Sequence, residues 1–449
     1  MKILRTLTIA AVFIGALAIA SCWYAGQRIE DGFTARLTHF QHPQIQARLL
    51  DYQRGLFRSQ ARSQWQYQGQ SIILQHTIQH GPLPLGSLAR IHSQLEADPG
   101  QAMYTLLSGD SALRIDSRVY LNGSHQHSFS SAPGQGLIDS SGGPIAYDWG
   151  GLQGELHIHR GRRTIAGQLD IPSLQLGHNR DDDGLILTGL QLQLDAQQHA
   201  QSQVWTGPLQ LRLQALRVDH PIEPARLEGF SLHLESSIDG ERLDIAQQLQ
   251  FAQLSFDGTR LDDLQLDLRL GQLDARAFGS LLKALKPSQE AAQLQQQLLR
   301  SMPELLVHQP YLDLHQLRLT HPQGTLQLNA RLDYQGDGNL MQFRPAQELV
   351  FHARLRASAS LIKTLIAVQQ QQELSRLAEL VGWDEASEDF QSLLEQSIRA
   401  QQQQLLQRGW LIEDGDDWLA EARFAEGQLH LNEQAANALI GEVFKYLLR

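Results

Sequence analysis

The chain has 449 residues, of which 42% are hydrophobic and 19% are charged, and its formal net charge is -11 at pH 7. This length exceeds the size at which a single core usually stops growing, so we expect two or more packed units. The acidic balance and the lack of a basic stripe argue against nucleic acid as a partner, and the composition excludes bulk disorder.

The first predicted element is a membrane-spanning helix. The stretch from Thr6 to Ala25 has no charged side chain, and twenty helical residues span roughly the 30 Å hydrocarbon core of a bilayer. Lys2 and Arg5 precede the stretch, and Trp23 and Tyr24 stand where an interfacial aromatic belt is expected. The positive-inside rule then places the N-terminus in the cytoplasm and the rest of the chain outside it. We therefore predict a single-pass protein of the bacterial inner membrane, with its C-terminal body in the periplasm.

Cys22 opens a second interpretation of the same segment. Small residues precede this cysteine, as they do at a lipoprotein processing site, and cleavage there would leave a lipidated Cys22 as the anchor. Both interpretations place the body outside the cytoplasm. Because Cys22 is the only cysteine, the chain has no intrachain disulfide, and its body has no cysteine for catalysis.

Strict alternation of leucine with polar residues dominates the stretch from Thr164 to Arg269. Leu190 to Leu194 and Leu209 to Leu213 show the pattern, which places leucine on one face of a half-buried strand. Turn signals such as Asp239-Gly240 separate the runs. These features predict a large antiparallel sheet.

Three later stretches change to the helical period of about 3.6 residues and predict amphipathic helices packed on the sheet. They run from Ala275 to Leu306, from Ser360 to Val381 and from Ser387 to Gln407, and Pro287 should interrupt the first. The predicted fold class is therefore α+β, with one N-terminal transmembrane helix and a β-rich body.

The predicted organisation has four parts. Residues 1–26 form the cytoplasmic N-terminus and anchor, and residues 27–130 form a mixed periplasmic unit. Residues 131–151, which are rich in glycine, serine and proline, form a loop or linker. Residues 152–449 form the β-rich unit with its late helices.

The end of this last unit has its own predicted elements. An alternating strand runs from Arg423 to Leu431, and Asn432 should cap a helix that continues to Leu448.

Short motifs in this sequence resemble those of the YdgA family of bacterial membrane-anchored proteins, whose members are largely uncharacterised. The similar stretches are Trp23 to Gly26 with Ile29-Glu30, Tyr52 to Ser59, His80 to Pro84, and Gly427 to Asn432. Glu433 follows Asn432 where the family commonly has glycine. The resemblance implies a periplasmic body on an uncleaved anchor, and it implies no reaction.

The resemblance also selects three residues as a candidate recognition surface: Phe57, His80 and Pro82. Phe57 would be an aromatic side chain beside a turn, where recognition residues are common. Structural roles explain the same motifs, because Gly55 would allow a tight bend and Gly81-Pro82 would force a turn after the preceding strand.

Several short motifs could indicate metal binding or catalysis, but each also has a structural explanation. The histidine pairs His157 with His159 and His125 with His127 have the spacing that places two ligands on one face of a strand, but no third ligand completes a zinc set. The acidic run Asp181 to Asp183 lacks the spacing of an EF-hand. The sequence has no nucleophile elbow, phosphate loop or dinucleotide fingerprint. We predict no metal, no cofactor and no catalytic residue, and we predict that the protein is not an enzyme.

The leucine face of the predicted sheet is the most informative feature for function, because such a face must be covered by helices, another sheet or a ligand. If the face is a closed core, the protein acts through its outer surface as an envelope scaffold or assembly factor that binds a protein partner. If helices leave it partly open, the face accepts a lipid or another apolar ligand. The sequence leaves the oligomeric state open.

Overall fold

The computed structural model describes most of the chain. The described residues are 22–35, 37–38, 45–67, 70–80, 87–96, 113–138, 143–159, 161, 163–179, 183–219, 224–256, 259–284, 291–338, 344–381 and 387–437. They form a large antiparallel β-sheet body with a few helices, which confirms the predicted mixture of sheet and helix. Most of the predicted anchor lies outside these residues. Among the helices that are described, none is both long enough and apolar enough to cross a bilayer.

Contacts divide the chain into two compact units. The first comprises Met1–Gln198 and Gly207–Ala225, and the second comprises His199–Thr206 and Arg226–Arg449. The boundaries therefore lie well beyond the segment predicted to separate the two units.

The first unit contains helix α1, residues 22–35, and an antiparallel sheet. Its strands are β1 (Ile45–Gln53), β2 (Arg58–Tyr67), β3 (Gln70–His80), β4 (Ser87–Leu95), β5 (Arg114–Tyr120), β6 (His125–Ser131), β7 (Gly134–Ile138), β8 (Ile145–Trp149), β9 (Leu152–Ile158), β10 (Thr164–Asn179), β11 (Asp183–Gln198) and most of β12 (Trp205–Asp219). Strands β1 to β6 pair in chain order, β6 pairs with β9, and β9 pairs with β10, which also pairs with β8 and β11.

Helix α1 covers one end of this sheet. Ile29 of the helix packs in a buried cluster with Ala61, Ile78 and Ala89 from strands β2, β3 and β4, and Phe33 packs against the same cluster. The strand residues lie on one face because side chains alternate along each strand. The small alanines let the helix approach the sheet closely.

The segment 131–151, which was predicted to be a loop or linker, instead contains strands β7 and β8. Trp149 is buried, and its Nε1 donates a hydrogen bond to Ser131 Oγ at 2.9 Å. Gly136 lies directly against the ring of Tyr147, where a β-carbon would come within 2.8 Å of it. Glycine and serine are used here for close packing, which composition alone does not distinguish from a linker.

The second unit alternates long strands with two helix pairs. Its strands are β13 (Ala225–Asp239), β14 (Arg242–Phe256), β15 (Thr259–Asp274), β16 (Tyr311–His321), β17 (Gly324–Tyr334), β18 (Leu349–Ser358), β19 (Ile412–Asp414), β20 (Asp417–Ala425), β21 (Gln428–Leu431) and β22 (Gln434–Ala435). Its helices are α2 (Ala275–Ala284), α3 (Ala291–Leu305), α4 (Pro345–Glu348), α5 (Ala359–Val381) and α6 (Glu388–Gln407). Strands β14 to β18 pair in chain order, and β20 pairs with β18, β19 and β21.

The helices of this unit lie where the change of period predicted them. The first predicted helix is two helices, α2 and α3, and Pro287 falls outside the described residues between them. Ser387 caps α6, because its Oγ accepts a hydrogen bond from the backbone N–H of Phe390 at 3.3 Å.

Asn432 does not cap a helix, contrary to the prediction. It has a left-handed backbone with φ 47°, and it lies in a turn between β21 and the short strand β22. Asparagine favours both helix caps and left-handed turns, and here the second preference decides. Residues 438–449, where the rest of that helix was predicted, lie outside the described residues.

Candidate functional site

One face of the sheet in the second unit carries a row of alanines across three neighbouring strands. Ala330 of β17 is directly opposite Ala353 of β18, which is opposite Ala422 of β20. Strands lie about 4.8 Å apart, so the row extends for roughly 10 Å across the sheet. All three alanines are half-buried.

Apolar residues, all but one of them larger than alanine, stand on both sides of the alanine row. They occupy positions two residues away along each strand, which places them on the same face and about 6.7 Å from the row. One wall consists of Leu328, Leu355 and Ala420, and the other consists of Leu332, Phe351 and Phe424. The alanine row is thus flanked by mostly longer apolar side chains, and we call the row and its two walls the alanine groove.

The rows of the groove continue onto the strands beyond β17. Register places Leu314 and Leu268 in line with the alanines, and it places Leu317 and Leu266 in line with one wall. Leu312 extends the other wall, and it is one of the more exposed leucines of the chain. The result is a leucine-rich face that runs across the sheet from β15 to β20.

Helices cover the two ends of this face. Helix α5 packs Ile362 and Ile366 onto Ala357 and Trp418, in a cluster that also takes in Leu326 and Ala420. At the other end, α2 packs around the buried residues Leu243 and Leu273 of β14 and β15. Between the two ends, in β15, residues 261–268 are all half-buried, whichever face they occupy. The leucines there are therefore not fully buried.

The opposite face of the same strands carries charged side chains in pairs. Arg354 Nη2 lies 3.2 Å from Glu421 Oε2, and His352 Nε2 lies 3.0 Å from Glu421 Oε1. Hydrogen bonds from His352 and Arg354 lower the pKa of the Glu421 carboxyl below its usual value. Arg356 Nε lies 2.7 Å from Asp417 Oδ2. The charges thus lie on the face opposite the groove, and of the described residues in its floor and walls none is charged.

The leucine face of the first unit is closed differently. Leu169 of β10 is opposite Gly154 of β9, and Leu156 of β9 is opposite Gly167 of β10. A β-carbon at either glycine would come within 3.1 Å of the leucine methyl group across from it. The leucine side chains therefore cover the glycines and fill the space above them. In the second unit, the corresponding space above the alanines is not filled in this way.

The polar face of the first unit has shallow depressions rather than an apolar site. One depression of about 360 Å³ is lined by Glu155, His157, Gln168, Gln193 and Asp195 among others. Two further depressions of about 590 Å³ and 580 Å³ share Glu155 with it. Their lining is a mixture of amides, hydroxyls and charges of both signs, which selects no single ligand class.

The residues predicted as a recognition surface have different environments. The Phe57 side chain is 56% exposed, whereas His80 is 4% exposed. The structure brings the two together through the backbone, because the N–H of His80 donates to the Phe57 carbonyl oxygen at 3.0 Å. Pro82 lies outside the described residues, as do Asp181 and Asp182 of the acidic run.

Buried serines surround a second histidine that sequence reasoning missed. His76 Nε2 lies 2.7 Å from Ser63 Oγ, and His76 Nδ1 lies 2.7 Å from Ser93 Oγ. Trp65 Nε1 donates to Ser63 Oγ at 3.0 Å, so the indole joins the same network. Burial lowers the pKa of His76 to about 4. The network is a neutral polar element under helix α1, and its signal in the sequence is only a polar residue at alternate core positions.

His80 has a similar but simpler setting. Its Nε2 lies 2.9 Å from Ser59 Oγ. Burial lowers the pKa of His80, and the positive charge of Arg54 acts in the same direction, while a hydrogen bond to the Leu56 carbonyl oxygen opposes them.

Of the predicted histidine pairs, His125 and His127 share one face of strand β6, whereas His157 lies on β9 and His159 lies just beyond its end. The rings of His125 and His127 stack with centroids 6.1 Å apart, and His127 Nδ1 lies 2.8 Å from Ser117 Oγ. His157 Nε2 lies 3.4 Å from Glu155 Oε2. These contacts account for the pairs as parts of polar networks within the sheet.

Another group of potential metal ligands comes from distant parts of the second unit. Oxygen and nitrogen atoms of Glu241, Asp274 and His308 lie within 4.8 Å of one another. His308 Nε2 lies 3.2 Å from Asp274 Oδ2, and Arg276 Nη2 lies 3.0 Å from Glu241 Oε1. Asp274 Oδ1 also accepts a hydrogen bond from the N–H of Ala277 at 2.7 Å, in the first turn of α2. Both carboxylates thus have partners within the chain. We interpret the group as a set of polar contacts that holds helices α2 and α3 on the sheet.

Comparison with known proteins identifies a family that the sequence matches. The sequence matches the family described as "Bacterial protein of unknown function (DUF945)" over residues 1–437. Protein YdgA of Escherichia coli strain K12 is 22% identical over 328 residues, which cover 66% of this chain and 64% of that protein. The match thus spans slightly less than two thirds of that relative. These similarities confirm the resemblance that the short motifs indicated. No solved structure matches the chain.

Proposed function

The chain belongs to the DUF945 family of bacterial proteins, and from its geometry we propose that it binds an acyl chain of a lipid, or a similarly long apolar ligand, in the alanine groove. We further propose that it does so in the periplasm, from an anchor in the inner membrane, and without catalysis. The observation that carries the proposal is the row Ala330, Ala353 and Ala422, which lies half-buried between two apolar walls made mostly of larger residues.

The small size of alanine is what makes the groove fit a hydrocarbon chain. A chain lying on Ala353 contacts apolar side chains below it and on both sides. Each methylene that it removes from water contributes roughly 0.8 kcal/mol. An apolar groove of this kind binds a ligand through the apolar area in contact, and the chemical identity of the ligand's polar end has little influence on binding.

The backbone of the groove argues against an extended peptide as the ligand. Strand β18 is hydrogen-bonded to β17 on one side and to β20 on the other. Peptides that add to a sheet do so at an edge, where unpaired N–H and C=O groups are available. A ligand over Ala353 has only side chains to contact, which favours hydrocarbon.

A protein partner is the second candidate, and a different surface favours it. On helix α5, the side chains of Leu365 and Val368 are 52% and 49% exposed. Leu365 and Val368 are three residues apart, so they lie on one side of the helix and form an apolar stripe that a partner could cover. An envelope scaffold or assembly factor would use this stripe rather than the groove.

One crosslinking experiment distinguishes the two candidates. The full chain is expressed in living bacteria with a photoreactive phenylalanine analogue in place of Phe351. The cells are illuminated, the chain is purified, and its mass is measured by mass spectrometry. We expect an added mass that matches a lipid. The matched control carries the analogue at His352, which is the next residue but lies on the opposite, charged face. This control should acquire no lipid mass.

Three other results would count against lipid binding. A crosslink from position 351 to another protein would instead support the scaffold. Equal lipid crosslinking at positions 351 and 352 would show contact with bulk membrane, and the absence of any crosslink at position 351 would refute an occupied groove.

A further inference from the structure

Four exposed apolar or aromatic side chains gather at one end of the first unit. Trp23 and Tyr24, at the start of α1, are 51% and 54% exposed. Leu56 and Phe57, in the loop between β1 and β2, are 42% and 56% exposed. We call these four residues the aromatic patch. Soluble surfaces rarely place so many large apolar groups together without a partner.

The two halves of the patch are held together by groups between the helix and the loop. The Arg54 guanidinium of the loop lies 5.7 Å from the centre of the Trp23 ring, and its Nη1 lies 3.1 Å from Glu30 Oε2 on the helix. Buried His80 contacts both sides. Its ring lies against Gly26 of α1, and its backbone N–H donates to the carbonyl oxygen of Phe57. The loop is therefore fixed beside the start of the helix.

The chemistry of the patch fits a lipid surface. Tryptophan and tyrosine favour the boundary between hydrocarbon and headgroups, and a phenylalanine or leucine beside them can enter the acyl region. Arg28 lies over the Tyr24 ring at 5.4 Å, and its Nε donates to the Tyr24 hydroxyl at 2.8 Å. A guanidinium placed this way can remain at the level of the headgroups while the ring lies deeper.

The position of the patch in the sequence selects the bilayer over a protein. Trp23 and Tyr24 close the uncharged stretch that begins at Thr6, so these two residues must lie at the membrane surface if that stretch crosses the bilayer. Leu56 and Phe57 belong to a different part of the chain and reach the same place only in the folded unit. We propose that the aromatic patch is a membrane contact, in which Leu56 and Phe57 enter the bilayer beside the point where α1 leaves it.

This contact would fix the orientation of the first unit on the membrane. A single helix alone leaves a body free to swivel, whereas a second contact from a loop adds a constraint. The proposal rests on the membrane location given under the proposed function, but it is independent of ligand binding in the alanine groove.

The test measures depth in the bilayer at one residue of the full chain. The chain carries Cys22→Ser, which removes its single cysteine, together with Phe57→Cys labelled with an environment-sensitive fluorophore. It is reconstituted into vesicles of phosphatidylethanolamine and phosphatidylglycerol. The matched control is Leu137→Cys in the same background, because Leu137 of β7 is an apolar residue of the same unit and is 63% exposed. Strand β7 pairs with β8, and β8 pairs with the end of β10 that lies opposite the Phe57 end of the sheet.

We expect nitroxide-labelled lipid to quench the label at position 57 at least about twofold more strongly than the label at position 137. Iodide in the water should show the reverse order. Equal quenching of both positions by iodide, with no effect of the nitroxide lipid, would overturn the membrane contact. Failure of the chain to float with the vesicles would overturn both the contact and the proposed membrane location. A floating chain with an aqueous label at position 57 would overturn the contact alone.

Discussion

Gly26 of helix α1 lies so close to the imidazole of His80 that a β-carbon at position 26 would be 2.7 Å from Cε1 and 2.8 Å from Nδ1. The ring has little freedom to move away, because it is buried and its Nε2 lies 2.9 Å from Ser59 Oγ. We therefore expect Gly26→Ala to lower the free energy of unfolding by about 1 to 3 kcal/mol, as overpacking usually does. Urea unfolding of the full chain in lipid nanodiscs measures this change.

Gly32 provides the matched control in the same helix. Among the described residues, no atom outside the backbone of α1 itself and the two neighbouring residues lies within 4 Å of the position that its β-carbon would take. Alanine is the better helix former there, so Gly32→Ala should raise the stability by about 0.4 to 1 kcal/mol. If the two substitutions had the same effect, the contact between Gly26 and His80 would not contribute to the docking of α1.

The buried histidine His76 predicts a loss of stability in acid. Its pKa is about 4 in the folded protein, against roughly 6.5 in an unfolded chain. Between these values the unfolded state binds more protons, so stability is fully present above about pH 6.5 and falls as the pH approaches 4. We expect the free energy of unfolding to decrease by about 2 kcal/mol from pH 7.5 to pH 5.

Urea unfolding at the two pH values measures the effect, and His76→Gln provides the comparison. Glutamine can hydrogen-bond to the serines and does not titrate in this range. The variant should therefore show a pH dependence smaller by about 2 kcal/mol, even if it is less stable at pH 7.5. An unchanged pH dependence would assign the acid sensitivity to other groups.

The sequence predicted those features of the fold that depend on local pattern. Alternation of leucine with polar residues correctly indicated antiparallel strands, and the change of period located α5 and α6 within one residue of their observed starts. Each of these signals comes from neighbours along the chain. No long-range information was needed for them.

Features that depend on register between strands were not accessible in the same way. Ala330, Ala353 and Ala422 are unremarkable one by one, and they form a row only because their strands pair with a particular offset. The same applies to His76 and its two serines, which come from three different strands. Sequence reasoning found the leucine face but not the groove within it.

The error at Asn432 has a physical cause that can be tested. Its Oδ1 accepts a hydrogen bond from the N–H of Glu421 at 2.6 Å, and its Nδ2 donates to the carbonyl oxygens of Gly409 and Trp410 at 2.8 Å and 3.0 Å. The side chain therefore joins the end of the sheet to the segment that follows α6. We expect Asn432→Ala to cost about 2 to 4 kcal/mol, from three lost hydrogen bonds and a strained left-handed backbone.

Asn432→Gly separates the two causes. Glycine also loses the hydrogen bonds but adopts a positive φ without strain, so it should cost about 1 kcal/mol less than alanine. Thermal unfolding of both variants gives the comparison. Equal losses of stability would mean that the backbone conformation contributes little. A negligible loss in both variants would show that the Asn432 side chain does not stabilise this turn.

The openness of the alanine groove predicts a difference between two alanines on the same strand. Ala357 is 1% exposed, beneath Ile362 and Trp418, so Ala357→Leu should overpack that cluster and lower the free energy of unfolding by about 1 to 3 kcal/mol. Ala353 lies four residues away along the same strand, on the same face, and is half-buried. There the added leucine extends into the groove, and Ala353→Leu should change stability by less than about 0.5 kcal/mol.

The pair of variants also links stability to binding. Leucine at position 353 raises the floor of the groove to the height of its walls, so it should reduce lipid crosslinking from position 351 while leaving the fold intact. Urea unfolding and the crosslinking yield are measured on the same preparations. A cost at position 353 as large as that at position 357 would mean that the alanine row is already covered, and the face would then be a closed core of the kind that a scaffold protein requires.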